Sequence, residues 1–309
     1  MYTKSEIKRA IRNPRVGLRE LNSIFHSRMG CYQENPRGVN FFEEDWDNLI
    51  ILDACRYDIF KEKIGNYQIH GEIESRQSLG SATFDFLQAN LDKRDNSDTV
   101  YVTATSMLYR EVALRSNLTS RFHRIIDVWE DNVEYGEGGV PPHSVTEAAI
   151  KAHADFPNKR LVIHYIQPHT PFIGEFGQEL LGDQEHAVWD DKLTKSCNIS
   201  DEDLWEAYCE NTDIVLEELE RLVSSLSGKT VITADHGQAI GDRSYPIPIK
   251  EYGHPSGLYI DVLCKVPYFI CQYDSRRGIS YDDSSKNYTD EDPEIEDKVT
   301  DQLKGLGYL

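Results

Sequence analysis

Basic residues are scarce here relative to acidic ones: 33 Lys and Arg stand against 53 Asp and Glu, for a formal charge of −20 over 309 residues. Such an excess repels a phosphate backbone over most of the surface and argues against nucleic acid as a partner. No run approaches the roughly 18 apolar residues of a membrane span. No Cys-x-x-Cys pair occurs: Cys31, Cys55, Cys197, Cys209, Cys264 and Cys271 are scattered, so reduced thiols are expected. No signal-peptide pattern opens the chain, and no internal repeat is found. We therefore expect a soluble, cytoplasmic protein, with an acidic surface that suits a salt-rich cytoplasm. The apolar share of 39% is modest. Even so, apolar runs such as 48–52 and 161–166 argue for a folded enzyme, and the length allows a sizeable core.

The N-terminal thirty residues differ from the rest. Lys4, Lys8, Arg9, Arg12, Arg15, Arg19 and Arg28 face only Glu6 and Glu20, and Ile7, Ile11, Leu18 and Leu21 form a partial helical stripe. We expect residues 1–30 to be a basic helical segment. It either packs on its own acidic domain or touches anionic lipid or a glycan-lipid substrate as a peripheral membrane contact. Residues 31–309 are expected to form one catalytic domain. Within it, short apolar runs at 48–52, 99–103, 161–166, 230–234 and 266–271 read as buried parallel strands. Helices are expected over 144–153, behind a Ser144-x-x-Glu147 capping box, and over 201–226. Alternating strands and helices mean a mostly parallel sheet covered on both faces, with sites beyond the carboxyl ends of the strands. An acidic loop over 274–292 and an amphipathic helix over 294–306 close the chain.

Three strand ends carry chemistry. Asp53 ends the first run, Asp235-His236-Gly237 ends another, and His164 to His169 covers the end of a third. Carboxylate and imidazole at strand ends are what a divalent cation requires, although Asp-His alone can equally cap the following loop.

The order of these motifs resembles the sulfatase-like branch of the alkaline-phosphatase superfamily, in an acidic, archaeal-type member. Leu52-Asp53 with Arg56 and Asp58 resembles the opening metal strand of that branch. Thr233-Ala234-Asp235-His236-Gly237 is similar to its second metal motif. Pro168-His169-Thr170-Pro171, His254 with Leu258-Tyr259 and Val266-Pro267, and the terminal Leu306-Gly307-Tyr308 follow in family order. The resemblance implies a three-layer α/β/α sandwich. It also implies a metal-dependent hydrolase or transferase of phosphate esters, phosphate diesters or sulfate esters, acting on a small molecule, a glycan or a lipid-linked glycan. Asp53, Asp235 and His236 would hold Zn, Mn, Ca or Mg, as one ion in the central case and two in the other. Position 165 is Tyr where two-zinc relatives carry Asp.

The Cys-x-Pro-x-Arg motif of formylglycine sulfatases is absent, which counts against that chemistry. Gly80-Ser81-Ala82-Thr83 stands in its place and resembles relatives that use an unmodified hydroxyl, with Thr83 or else Ser81 as nucleophile. Both residues are also good helix N-caps, so a purely structural role stays open. His169 would act on the transferred group, with His254, Arg56 and His164 as substrate contacts, although Arg56 can equally form a supporting salt bridge with Asp58. A fold-retaining binding protein without turnover is the competing reading.

Overall fold

The computed structural model describes residues 4–28, 34–91, 95–108, 122–129, 139–182, 188–281 and Gln302. Its nine described strands are β1 (Asn48–Leu52), β2 (Gly71–Gln77), β3 (Asn96–Thr103), β4 (Phe122–Asp127), β5 (Arg160–Tyr165), β6 (Thr230–Ala234), β7 (Ala239–Arg243), β8 (Lys250–Gly253) and β9 (Lys265–Cys271). Seven of them make one sheet in the order β2-β9-β6-β1-β5-β3-β4, while β7 and β8 pair as a separate hairpin. Pairings from β6 through β1, β5 and β3 to β4 are parallel; β9 runs antiparallel to both β6 and β2.

β1 lies at the centre because nothing in it needs water. Leu49, Ile50, Ile51 and Leu52 are all fully buried, each contributing about 1.5–3 kcal/mol by leaving solvent. Both faces are covered. Phe60 of the helix α3 (Tyr57–Lys63) packs edge-on against Phe269, and Thr146 of the Pro142–Asp155 helix meets the Tyr165 hydroxyl at 2.8 Å. On the other face Phe41 and Phe42 lie against Tyr268 and Tyr101, and Phe86 from α4 (Thr83–Leu91) joins them. The result is the expected three-layer α/β/α sandwich with a mostly parallel central sheet.

Two local expectations are corrected: the run 266–271, expected as a parallel strand, is β9, antiparallel to both of its neighbours because the short α-helix over Asp261–Cys264 returns the chain without a crossover. The helix expected to start at the Ser144 box starts at Pro142, with Pro141 at the cap and no side-chain cap bond. A proline in the first turn loses no hydrogen bond and already has helical φ, so it extends the helix backwards. Strands β2 and β4 and the β7–β8 hairpin were not anticipated. β2 is an edge strand whose residues are half-buried or exposed, so it carries no apolar run. At the chain's end, the acidic loop is described only to Tyr281. The helix expected over 294–306 lies, except for Gln302, outside the described residues. Gln302 is buried; it accepts a hydrogen bond from the Ser106 amide at 2.7 Å and donates to the Ala104 carbonyl at 3.0 Å, just past β3.

The basic N-terminal segment forms α1 (Lys4–Arg12) and α2 (Pro14–Arg28). It packs on the acidic body: Arg9 pairs with Asp190, and Arg19 pairs with the fully buried Glu251 of β8.

Candidate metal centre

Asp53 follows β1, and Asp235 and His236 follow β6, its parallel neighbour. Parallel pairing in register brings the two strand ends side by side, so acids distant in sequence meet. One donor atom from each of Asp53, Asp235 and His236 falls within a 4.8 Å cluster, and all three residues are buried. His236 Nε2 is 3.3 Å from Asp235 Oδ2 and 3.5 Å from Asp53 Oδ1.

The backbone holds each ligand in place. The Asp53 amide donates to the Tyr165 carbonyl of β5 at 3.2 Å. Ala54 then takes a left-handed conformation, φ 60°, and its amide donates to Asp235 Oδ1 at 3.0 Å. The His236 amide donates to the same oxygen at 2.8 Å. Gly237 cannot be replaced without displacing a neighbour, because a Cβ there would lie 2.1 Å from the Val262 carbonyl oxygen. His236 Nδ1 lies 2.9 Å from the Gly237 carbonyl. A proton on Nδ1 serves that carbonyl and leaves the Nε2 lone pair facing the carboxylates, the tautomer a metal ligand needs.

The donor set fits a divalent cation. Asp235 Oδ2 is buried and makes no hydrogen bond. Among the described residues no Lys or Arg pairs with Asp53 or Asp235. Burial and then the neighbouring Asp235 charge push the Asp53 carboxyl well above the usual range, against a smaller lowering by its Thr83 hydrogen bond. Two buried acids facing one another without a counter-charge are costly. A cation bound by two carboxylates and an imidazole removes that cost.

Thr83 opens α4 beside this cluster and is fully buried. Its Oγ1 lies 3.1 Å from His236 Nε2 and 3.3 and 3.4 Å from the two Asp53 oxygens. Ser81 faces elsewhere: it donates to the Pro255 carbonyl at 2.9 Å and accepts from the Leu258 amide at 3.2 Å, tying the start of α4 to the loop after His254. His254 stacks on His236, with centroids 4.4 Å apart, and its Nε2 lies 2.8 Å from His169 Nε2. Burial lowers both imidazoles, His169 to about 4 and His254 well below its ordinary value. His169 stands between two cis-proline bonds, Gln167–Pro168 and Thr170–Pro171.

Arg56 grips both Asp58 oxygens, reaches Asp242 at 2.8 Å and lies over the Trp205 ring. His164 pairs in register with Ile51 of β1, so it shares the sheet face of Asp53. Its Nδ1 meets the Tyr101 hydroxyl at 3.0 Å, its Nε2 has no partner, and burial brings its pKa down to about 4. Tyr165 points to the opposite face, toward Thr146, so it offers nothing to a second ion beside His169.

Sequence reasoning missed the braces. Asn211, fully buried in the Asp201–Ser225 helix, donates to the carbonyls of Pro168, His169 and Pro171 and accepts from the Ile173 amide, fixing the His169 loop. The Tyr208 hydroxyl, one turn earlier, donates to the Ala54 carbonyl and accepts from the Arg56 amide.

Neither a protein-family model nor a curated protein matches this chain. Solved structures do. An alkaline-phosphatase-superfamily protein from Vibrio parahaemolyticus aligns with 93% of this chain and 75% of its own, at TM-score 0.46 and 12% identity. The C-terminal periplasmic domain of EcEptC from Escherichia coli, in complex with Zn, aligns with 76% of this chain and 75% of its own, at TM-score 0.46 and 13% identity. The integral membrane lipooligosaccharide phosphoethanolamine transferase A from Neisseria meningitidis aligns over 72% of this chain at TM-score 0.47 and 13% identity. There the chain spans only 47% of its relative's length. These likenesses are of fold.

The expectation of a cytoplasmic protein is corrected. Structures similar to this chain include the C-terminal periplasmic domains of EcEptC from Escherichia coli and of phosphoethanolamine transferase EptC from Campylobacter jejuni. The expectation had rested on the missing signal pattern and scattered cysteines, and neither reports a compartment. No helix among the described residues is long and apolar enough to cross a membrane.

Proposed function

We propose that this chain is a metal-dependent hydrolase or transferase of phosphate esters or diesters, or of sulfate esters, with Thr83 as its nucleophile. The observation that carries this reading is the Thr83 hydroxyl, buried 3.1 Å from His236 Nε2 and within 3.4 Å of both Asp53 oxygens. One divalent cation, Zn, Mn, Ca or Mg, held by Asp53, Asp235 and His236 would favour the ionised hydroxyl and offset the charge developing on the ester. Thr83 Oγ attacks the phosphorus or sulfur; the Thr83 O–P or O–S bond forms as the ester bond to the leaving oxygen breaks. His169 and His254, neutral and paired at Nε2, contact the tetrahedral group, and the proton lost by the Thr83 hydroxyl is taken up by this imidazole pair and passed on to the leaving oxygen. Water, or an acceptor hydroxyl in a transferase, then reverses the steps and frees Thr83. The ester would be borne on a small molecule, a glycan or a lipid-linked glycan. Ser81 is fully engaged with the His254 loop, which supports Thr83 over it as the attacking group.

The test is hydrolysis of nitrophenyl phosphate, bis-nitrophenyl phosphate and nitrophenyl sulfate with Mn²⁺ or Zn²⁺ added. Wild-type turnover should fall at least about a thousandfold in Thr83→Ala, with metal binding retained. Undiminished activity in that variant would overturn the nucleophile. A wild-type protein that binds no divalent metal would overturn the whole reading.

A further inference from the structure

Of the six large hydrophobic side chains that stand exposed among the described residues, four belong to α1, α2 and the hairpin they cover. Ile11 is 75% exposed, Leu21 53%, Tyr245 49% and Phe25 36%. Leu21 and Phe25 are one helical turn apart on α2. Phe25 meets the His26 ring, and His26 in turn meets Tyr245 at 4.6 Å between centroids, so these groups form one surface. Single exposed apolar residues need no explanation, but a clustered set does.

The charge around this surface is opposite to that of the rest of the molecule. Residues 4–28 hold seven Lys and Arg against two Glu, on a chain of net charge −20. Part of that basic charge is spent inward, in the Arg9–Asp190 and Arg19–Glu251 pairs. Lys8 and Arg12, one turn apart on α1, are exposed and make no ion pair with another described residue.

The segment is a fixed part of the body. Asn22, fully buried, donates to Ser244 Oγ and the Ile247 carbonyl and accepts from the Ile247 amide, each at 2.9 Å. Arg19 also donates to the Tyr252 carbonyl, two residues before His254.

We propose that the α2 face, with Leu21, Phe25 and Tyr245 as apolar contacts and the exposed Lys8 and Arg12 of the adjoining α1 as charges, docks on an anionic lipid bilayer. Apolar and aromatic side chains enter the headgroup boundary while lysine and arginine meet lipid phosphates. Screening over about 8–10 Å confines the interaction to the facing surface, so the acidic body behind it does not cancel the attraction. A two-fold contact between copies of this chain would set the basic face against itself. Nucleic acid would have to approach the same acidic body at much closer range and over a longer surface.

The test uses the full chain and sedimentation with vesicles of phosphatidylcholine, with and without phosphatidylglycerol. Binding is expected only where phosphatidylglycerol is present, and it should weaken as salt rises. Lys8→Gln with Arg12→Gln should lower the partition coefficient by roughly 25-fold, about fivefold for each charge removed. Leu21→Ser with Phe25→Ser should lower it at least about tenfold. Both double variants should keep wild-type thermal stability and metal binding. Equal binding to both vesicle types, or none, overturns the proposal. So does a dimer in solution that Leu21→Ser with Phe25→Ser dissociates. Vesicle binding needs no ester turnover, so failure here is distinguishable from failure of the proposed activity.

Discussion

The β1–β6 strand pair has buried acid at both its ends, Asp47 at one and Asp53 with Asp235 at the other, and the two ends are treated oppositely. At the amino end, Asp47 is 1% exposed and accepts two 2.8 Å bonds from Arg276, plus the amides of Lys229 and Arg277. Asp45 beside it pairs with Lys229 and Arg276. Burial pushes the Asp47 carboxyl up, but the bonds from Arg276, Lys229 and Arg277 outweigh it and hold the group below the usual range. At the carboxyl end, Asp53 and Asp235 are as deeply buried, have no Lys or Arg among the described residues, and Asp53 is pushed up. The chain supplies its own cations at one end. At the other it supplies a ligand set and leaves the charge to come from outside. That contrast separates a structural acid cluster from a candidate metal centre.

The largest expected effect comes from breaking the carboxyl end. Asp235→Asn removes one ligand and one buried charge. Turnover should fall at least about a thousandfold and divalent-metal affinity should collapse. The metal-free protein should keep its fold and be no less stable, because a like-charge pair has been relieved. Calorimetric metal titration together with thermal melting checks both halves. A variant that unfolds without metal would mean that Asp235 is structural, as Asp47 is.

The next effect is a pH dependence that starts at the site end. His164, His169 and His254 are held below the ordinary 6.5 by burial, the first two at about 4. Between those values the unfolded chain binds protons that the folded chain does not, so stability falls as pH falls from about 6.5 to about 4. The slope is up to about 1.4 kcal/mol per pH unit for each histidine. Asp53 acts with the opposite sign: its raised carboxyl binds a proton in the folded state, which favours folding at low pH. The prediction is therefore sharpest in metal-free Asp53→Asn, which should lose stability steeply over this window. A flat profile in that variant would remove the buried neutral imidazoles from the account. Asp47, lowered in the folded state, contributes stability above the ordinary carboxylate value and loses it only as pH falls below that value.

A smaller effect is expected at the amino end. Arg276→Ala leaves Asp47 buried with only its two amide donors. Arg276 is itself 42% exposed, so the loss should be about 2 kcal/mol in urea denaturation, below the full cost of orphaning a buried charge. Turnover and metal affinity should not change. A loss of metal affinity here would collapse the distinction between the two ends.

These two ends were not equally legible. β1 and β6 could be read because strands buried on both faces have no polar alternation to obscure them, and acids closing such runs stand out. Arg276 and Asp47 could not be paired in advance, since 229 positions separate them and neither sits in a motif. β2 was invisible for a physical reason: Glu72, Glu74 and Arg76 are edge-strand residues, and pairing with β9 makes them a strand. Ser81 and Thr83 read alike as helix caps, and only the fold turns one hydroxyl toward Asp53 and the other toward the His254 loop. Tyr208 and Asn211 fall on the buried stripe of the Asp201–Ser225 helix. In sequence a polar residue on such a stripe is indistinguishable from packing.

Tyr208 gives the finest cut through the comparison, because it braces the carboxyl end without touching a ligand. Its hydroxyl donates to the Ala54 carbonyl at 2.8 Å and accepts from the Arg56 amide at 2.9 Å. Between them Ala54 sits at φ 60°, a left-handed conformation costing roughly 1–2 kcal/mol for a residue with a Cβ. That strained residue follows Asp53 directly and donates its amide to Asp235 Oδ1, so the spacing of both ligand acids runs through it. Tyr208→Phe leaves two buried backbone groups unpaired and should cost about 1–2 kcal/mol in stability. It should also weaken metal binding several-fold as the frame loosens. Adding Ala54→Gly relieves the backbone strain and should restore much of the stability, but not the metal affinity, because it supplies no brace. If metal affinity returns with stability, or never falls, Tyr208 is a core residue and the two ends differ only in their charges.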